Sequence, residues 1–156
     1  MAVPDKEITG RMRRFAQTCR DGGLKVTHQR TEVFREVAGA DEHPDAETIF
    51  QRVRRRVTGI SLDTVYRTLP AMEALGLVRR TEISGQSARY DANTDMHHHF
   101  VCTRCGRVDD FYSEALDGLA IPRSVQALGR IESAQVQVRG VCSACEGRRG
   151  GKARKR

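Results

Sequence analysis

Two Cys-x-x-Cys pairs, Cys102/Cys105 and Cys142/Cys145, stand 36 residues apart in a chain of 156. Each pair can offer two thiolates to one ion, and four thiolates fill a tetrahedral shell with no open position. A fold that uses them must bring residues 102–105 and 142–145 to one point. The expected ion is a structural zinc, which stabilises folding and does not catalyse. The start of the chain, Met1-Ala-Val-Pro-Asp-Lys-Glu, carries no apolar signal segment, so the cytoplasm is the expected location. There such pairs indicate zinc more often than disulfides, with free or redox-active thiol pairs as the alternative. The fifth cysteine, Cys19, continues the face Ile8, Met12, Phe15 and Ala16 at helical spacing and reads as a plain buried thiol.

The first cysteine pair lies inside a second concentration of ligands. Residues Asp91 to Asp110 hold His97, His98 and His99 together with Asp91, Asp95, Asp109 and Asp110. If His97–Cys102 is a strand, its side chains alternate, so His97 and His99 share one face while His98 and Cys102 point the other way. The stretch can therefore present a nitrogen-and-oxygen site back to back with the sulfur site. Mixed imidazole and carboxylate ligands suit Fe(II), Mn(II) or Zn(II). A lone histidine is more often structural, but two at i and i+2 with flanking aspartates favour a site. Spacing does not recruit His43, far upstream.

The length allows one or two small domains, and no apolar run is long enough to span a bilayer. The net charge of +7 is unevenly spread: +3 over residues 1–91, −2 over 92–146 and +6 over 147–156. The last ten residues have nothing to bury and are expected to be a disordered basic tail, solubilising or weakly attracted to phosphates.

Residues 6–21 read as a helix stopped by Gly22-Gly23. Thr27 caps a second, with Val33, Phe34 and Val37 inward, ended by Gly39. Asp45 caps a third, with Ala46, Ile49, Phe50, Val53 and Val57 inward and Arg52, Arg54, Arg55 and Arg56 as a solvated face. A fourth runs from Ser61 to about Leu75, ended by Gly76. Its stripe of Leu62, Val65, Leu69, Met72 and Leu75 leaves Ser61, Thr64, Tyr66, Arg67 and Thr68 outward. An exposed aromatic, a guanidinium and small hydroxyls suit the major groove, although Pro70 is expected to kink or loosen this helix. Strands at Leu77–Ile83 and Ala88–Asp91, joined by a turn at residues 84–87, complete a winged helix. Further on, Val108–Phe111 and Ala134–Val138 alternate as strands, and Glu114–Leu119 and Arg123–Leu128 are short helical segments. This half is too small to bury its faces alone, so zinc and a partner chain are expected to complete it.

The fold class is thus α+β: a winged-helix DNA-binding domain (residues 1–91), then a small α/β dimerisation domain with a four-cysteine zinc site (92–146), then the tail (147–156).

Several motifs together resemble the ferric uptake regulator family of metal-dependent repressors. They are Gly23-Leu-Lys25-Val-Thr27, His43-Pro44, Ser61-Leu-Asp-Thr64-Val-Tyr66-Arg67-Thr-Leu, Gly76-Leu-Val and Ala88-Arg-Tyr-Asp91, followed by His97-His98-His99-Phe-Val-Cys102-x-x-Cys105-Gly and Gly140-Val-Cys142-x-x-Cys145. They cover about residues 9–146 in the family's order. The resemblance implies a homodimer that binds a palindromic double-stranded operator, with Tyr66 and Arg67 at the major groove and Lys25 near the backbone or minor groove. It also implies a regulatory Fe(II) or Mn(II) held by His43, Asp91, His97, His99 and Asp110, whose binding fixes the two halves in the DNA-competent arrangement. Asp110 stands where iron-uptake members usually carry Glu, which is similar to the peroxide-stress repressors. In those, iron-catalysed oxidation strikes two ligand histidines, which match His43 and His97. A further family site is expected to be absent: Met96 replaces one of its histidines, and residues 130–141 contain none.

The reading is a non-enzymatic repressor that senses peroxide through iron. Plain iron or zinc responsiveness is the alternative within the family. From other classes, two histidines and a carboxylate could form the facial triad of a nonheme iron enzyme, or the cysteines could belong to a zinc-ribbon adaptor.

Overall fold

The computed structural model describes residues 3–81 and 87–147. It divides into two units, one ending at Thr94 and the other beginning at Asp95.

The first unit contains α1 (Asp5–Asp21), α2 (His28–Gly39), α3 (Ala46–Val53) and α4 (Leu62–Ala74), followed by β1 (Arg79–Thr81) and β2 (Arg89–Asp91). Two helices start on the side chains expected to cap them, Thr27 and Asp45, and α4 starts on Ser61, which the sequence reading places inside that helix. Thr27 Oγ1 accepts from Arg30 N at 3.3 Å, Asp45 Oδ1 from Thr48 N at 2.8 Å, and Ser61 Oγ from Thr64 N at 3.1 Å. Each occupies one of the amide groups that a helix start leaves without a partner. Gly76, at φ +65, stops α4 in the left-handed conformation, and the Leu77 N–H returns to the Met72 carbonyl at 2.9 Å.

Apolar stripes on these helices meet in one core of Phe15, Val33, Phe34, Ile49, Val53, Val65, Leu69, Met72 and Leu77. The Phe15 and Phe34 rings stack with centroids 4.7 Å apart. Cys19 is fully buried in this core; burial raises its thiol pKa, against a smaller opposing pull from the Arg30 charge.

Two details of α4 differ from the sequence reading. Thr68, expected outward, is buried, whereas Leu62 and Leu75 are half-buried. The inward face, Val65, Thr68, Leu69 and Met72, is broad at its centre, and the two leucines sit at its two ends. The helix also continues through Pro70 to Ala74, with Pro70 exposed. β1 is shorter than expected, because Leu77 and Val78 turn into the core before it begins. Ile83 and turn residues 84–86 lie outside the described residues.

β1 and β2 pair antiparallel, with Arg80 opposite Tyr90. The chain before α3 adds to this ribbon: Tyr90 N donates to the Pro44 carbonyl at 3.0 Å, and Asp45 bridges Arg89. Burial alone would raise the Asp45 pKa, but hydrogen bonds from Thr48 and the Arg89 charge together lower it. Asp45→Ala removes a helix cap and should cost about 1 kcal/mol, measured as a lower urea midpoint with an unchanged m value.

The second unit contains β3 (His98–Cys102), β4 (Val108–Phe111), α5 (Glu114–Asp117), α6 (Arg123–Gln126), β5 (Gln137–Gly140) and α7 (Ser143–Gly147). The sheet order is β4-β3-β5, with β4 antiparallel and β5 parallel to the central β3. α5 and α6 are single turns, shorter than expected. Leu119 and Leu128, assigned to their ends, are 53% and 85% exposed, so no packing inside this unit extends them. Gly147, placed at the start of the tail, closes α7; residues 148–156 lie outside the described residues.

Candidate metal centre

Parallel pairing builds the sulfur cluster. Cys102 on β3 lies opposite Gly140 on β5, and Thr103 N donates to the Gly140 carbonyl at 2.7 Å. The second pair follows two residues after Gly140, so strand register alone carries it to the first. Each pair sits in a tight turn: Gly106 N returns to the Cys102 carbonyl and Cys145 N to the Cys142 carbonyl, both at 2.9 Å. The left-handed φ of +72 at Gly106 lets the first turn close. One ligand atom from each cysteine lies within 4.8 Å of all the others.

A Zn–S bond of about 2.3 Å at tetrahedral angles places sulfurs about 3.8 Å apart. Cys105 Sγ and Cys142 Sγ are 3.8 Å apart, so the cluster fits zinc. The amides of Cys142 and Cys105 lower the Cys102 pKa to about 6, preparing one thiolate for an ion. Cys145 is pushed up to about 12 by hydrogen bonding to Cys142 and Cys105, and by burial.

The opposite face of β3 carries nitrogen. His97 Nδ1 lies 2.8 Å from the Asp95 carbonyl; a carbonyl can only accept, so Nδ1 holds the proton and Nε2 offers its lone pair. That Nε2 is 3.0 Å from His99 Nε2, with the rings edge-on at 88°. Asp110, opposite His99 on β4, places Oδ1 3.5 Å from His97 Nε2 and 3.6 Å from His99 Nε2. Metal–nitrogen bonds of about 2.1 Å at right angles would set the nitrogens about 3.0 Å apart, so the spacing fits adjacent positions on one ion.

Within the first unit, His43 Nε2 lies 3.6 Å from Asp91 Oδ2, and both residues are buried. The other Asp91 oxygen accepts the Asn93 N–H at 2.7 Å, which orients the carboxylate. His43 has φ +49, a conformation that histidine adopts more readily than most residues. The Pro44 and Asp45 contacts to β2 hold it.

The flanking aspartates separate by role. Asp109 Oδ1 pairs with Arg107 at 2.7 Å, and Asp95 contributes its backbone carbonyl to His97. His98, on the cysteine side of β3, accepts the Val136 N–H on Nδ1 at 3.2 Å, and its Nε2 lies 3.1 Å from Asp117 Oδ1. Sequence reasoning gave neither His98 nor Asp117 a partner; a histidine facing the strand that leads into β5 was the available signal.

Of the proposed DNA contacts, Tyr66 is 50% exposed. Arg67 is exposed and pairs with Asp63 at 3.0 Å. Ser61 spends its hydroxyl on the cap and on Thr64 Oγ1 at 2.9 Å, and Lys25 is exposed. A polar cleft beside α4 is lined by Thr27, Gln29, Arg30, Thr64, Arg67 and Thr68.

A winged helix joined in sequence to a small sheet unit with a thiolate cluster and an imidazole–carboxylate cluster defines a DNA-binding type of metalloprotein. The chain belongs to the ferric uptake regulator family, whose pattern matches residues 21–138. It is 28% identical over 148 residues to the peroxide-responsive repressor PerR of Staphylococcus aureus strain Mu50, covering 94% of this chain and 99% of that protein. Among solved structures, it resembles the Campylobacter jejuni peroxide stress regulator at TM-score 0.63 and 26% identity, over 83% of this chain and 98% of that one. It resembles the ferric uptake regulator of Pseudomonas aeruginosa with manganese at TM-score 0.65 and 26% identity, over 82% and 97%.

Proposed function

We propose that this chain is a dimeric, cytoplasmic, metal-dependent repressor that binds a palindromic operator and senses peroxide. The observation that carries this reading is the convergence of His97 Nε2, His99 Nε2 and Asp110 Oδ1, 3.0 to 3.6 Å apart, in a chain that also holds a winged helix. His43 and Asp91 complete a regulatory set of five ligands, and the four cysteines hold a structural zinc. Residues 1–91 bind DNA, residues 92–146 dimerise, and residues 147–156 form a basic tail. Among the described residues no helix is long and apolar enough to cross a membrane.

Because His43 precedes α3 while His97 and His99 lie on the far side of Thr94, an ion held by all five residues ties the winged helix to the sheet unit. It thereby favours the arrangement in which two α4 helices match successive major grooves. Held by these residues, Fe(II) would catalyse the transfer of one oxygen atom from peroxide to a ligand imidazole, with water as the other product, whereas Mn(II) does not readily do so. An imidazole so altered ligates more weakly, and the tie between units is lost. The Asp110 carboxylate, supported by the likeness to peroxide-responsive relatives, favours this branch over an iron- or zinc-uptake repressor. No part of the scheme requires turnover of a substrate.

The test is a DNA-binding titration with Mn(II), Fe(II) and Zn(II), each repeated after peroxide. Metal-dependent binding that peroxide abolishes in the Fe(II) arm alone supports the proposal. Binding indifferent to metal overturns it, and turnover of an organic substrate would favour a nonheme iron enzyme. In the same assay, Tyr66→Ala should relax sequence preference, costing about 1–3 kcal/mol at the contacted base. Lys25→Ala should weaken all sequences alike and flatten the salt dependence. An unchanged preference with Tyr66→Ala removes α4 as the reader.

A further inference from the structure

We infer that Arg54 and Arg55, at the turn leading into α4, form a phosphate-contacting corner for double-stranded DNA, and that Arg52 and Arg56 in the same run do not. The inference rests on the DNA-binding reading above. In sequence the four arginines are equivalent members of one charged run; their contacts divide them.

Arg52 reaches Glu36 at 3.5 Å and Glu42 at 2.6 Å, and Arg56 reaches Glu32 at 3.2 Å and Glu36 at 2.8 Å. Glu32 also pairs with Arg35 at 3.2 Å, so three carboxylates offset three guanidinium groups, and a phosphate approaching Arg52 or Arg56 would meet the acids as well. Arg54 and Arg55 are exposed and have no carboxylate partner among the described residues. The Arg54 guanidinium lies 5.6 Å from the Phe50 ring centroid and donates to Gln51 Oε1 at 3.3 Å. These neutral contacts orient the group and leave its charge uncompensated.

The backbone holds this corner close to the start of the proposed reading helix. Arg54 caps the end of α3, and the Arg56 and Val57 amides both return to the Val53 carbonyl at 2.9 Å. Val57 and Ile60 are buried, Gly59 turns the chain at φ +82, and Ser61 then caps α4. A helix whose first turns enter the major groove brings the preceding turn to the groove's rim, where phosphates are nearest. Guanidinium forks match phosphate oxygens there without reading sequence.

The test uses full-length, Mn(II)-loaded protein and a duplex enriched from a random-sequence pool by the wild type, with affinity followed across salt concentration. Each lost phosphate contact flattens the log–log slope by about 0.9, so Arg54→Ala/Arg55→Ala should flatten it by about 1.8 per bound subunit. From about 50 to about 200 mM salt, the wild type should then lose about twelvefold more affinity per subunit than the double variant. Arg54→Lys/Arg55→Lys should keep the steep slope. Arg52→Ala and Arg56→Ala should keep it too, while lowering the urea midpoint through the exposed glutamates. A wild-type slope in a folded Arg54→Ala/Arg55→Ala protein overturns the proposal: the pair would then merely complement the negative end of the α3 dipole. Equal flattening by all four substitutions overturns it as well. A wild type that selects no duplex at all fails the repressor reading itself, and that failure is distinct from either slope result.

Discussion

Cys142→Ser should release the zinc, dissociate the proposed dimer and unfold the sheet unit while leaving the helical unit folded. The effect is expected to be large because the sheet has little else to hold it. β3, β4 and β5 span five, four and four residues, and the buried apolar side chains beyond the cysteines are chiefly Val101 and Val108. β5 is parallel to β3 and returns after a long excursion through α5 and α6, so its pairing carries the entropy of closing that loop. The thiolate cluster is placed where this loop closes, two residues beyond Gly140. Structural zinc contributes about 10–16 kcal/mol in apparent binding free energy at neutral pH, more than a unit of this size gains from its core. Serine cannot replace the thiolate, and the remaining three cysteines would leave an open, labile shell. Metal analysis after gel filtration, light-scattering mass and thermal melts followed by circular dichroism read the outcome together. Stoichiometric zinc in a variant of unchanged mass would sink the structural assignment of the cluster.

Residues 102–105 and 142–145 were legible as one cluster because zinc chemistry demanded it, although nothing local predicted the parallel register that joins them. The caps at Thr27 and Asp45 were legible for the opposite reason, and the same local rule accounts for Ser61, which the sequence reading places just inside its helix. A side-chain oxygen three residues before a free amide is a local arrangement, decided within one turn. The alternation that set His97 and His99 apart from His98 was equally local, and Asp110 meets that face because β4 pairs directly with β3. Thr68 was misplaced because its burial depends on how the helices pack, not on the period of its own helix. His43 shows the limit of spacing most clearly. It lies far from His97–His99 in sequence, and its left-handed backbone is held by contacts between Pro44 and β2, so only resemblance to a family could enlist it.

Peroxide should act on this protein through its histidines, and Asp110 is the residue that sets how readily. Iron-sensing and peroxide-sensing members of the family can use the same five ligand positions, so the set by itself does not separate them. The length of the fifth side chain does. Asp110 brings Oδ1 to 3.5 Å and 3.6 Å from the two Nε2 atoms, and a glutamate would have to fold an additional methylene into the same space. That changes the path by which its oxygen reaches the ion and the room left beside the imidazoles. The Fe(II)-loaded protein is therefore expected to lose DNA binding after roughly stoichiometric peroxide, and the peptide containing His43 or His97 should gain the mass of one oxygen atom. His97 is firmly fixed: its Nδ1 is tied to the Asp95 carbonyl at 2.8 Å and its ring is fully buried. That bond holds the ring with Nε2 toward His99 and Asp110, where the ion would be held. The Mn(II)-loaded protein should bind DNA and resist the same treatment. Asp110→Glu should preserve metal-dependent binding and blunt the peroxide response, which separates a sensing role for Asp110 from simple ligation. If mass spectrometry finds both histidines unmodified while DNA binding persists in the Fe(II) protein, peroxide sensing is excluded, and a plain metal-responsive repressor accounts for the same ligands.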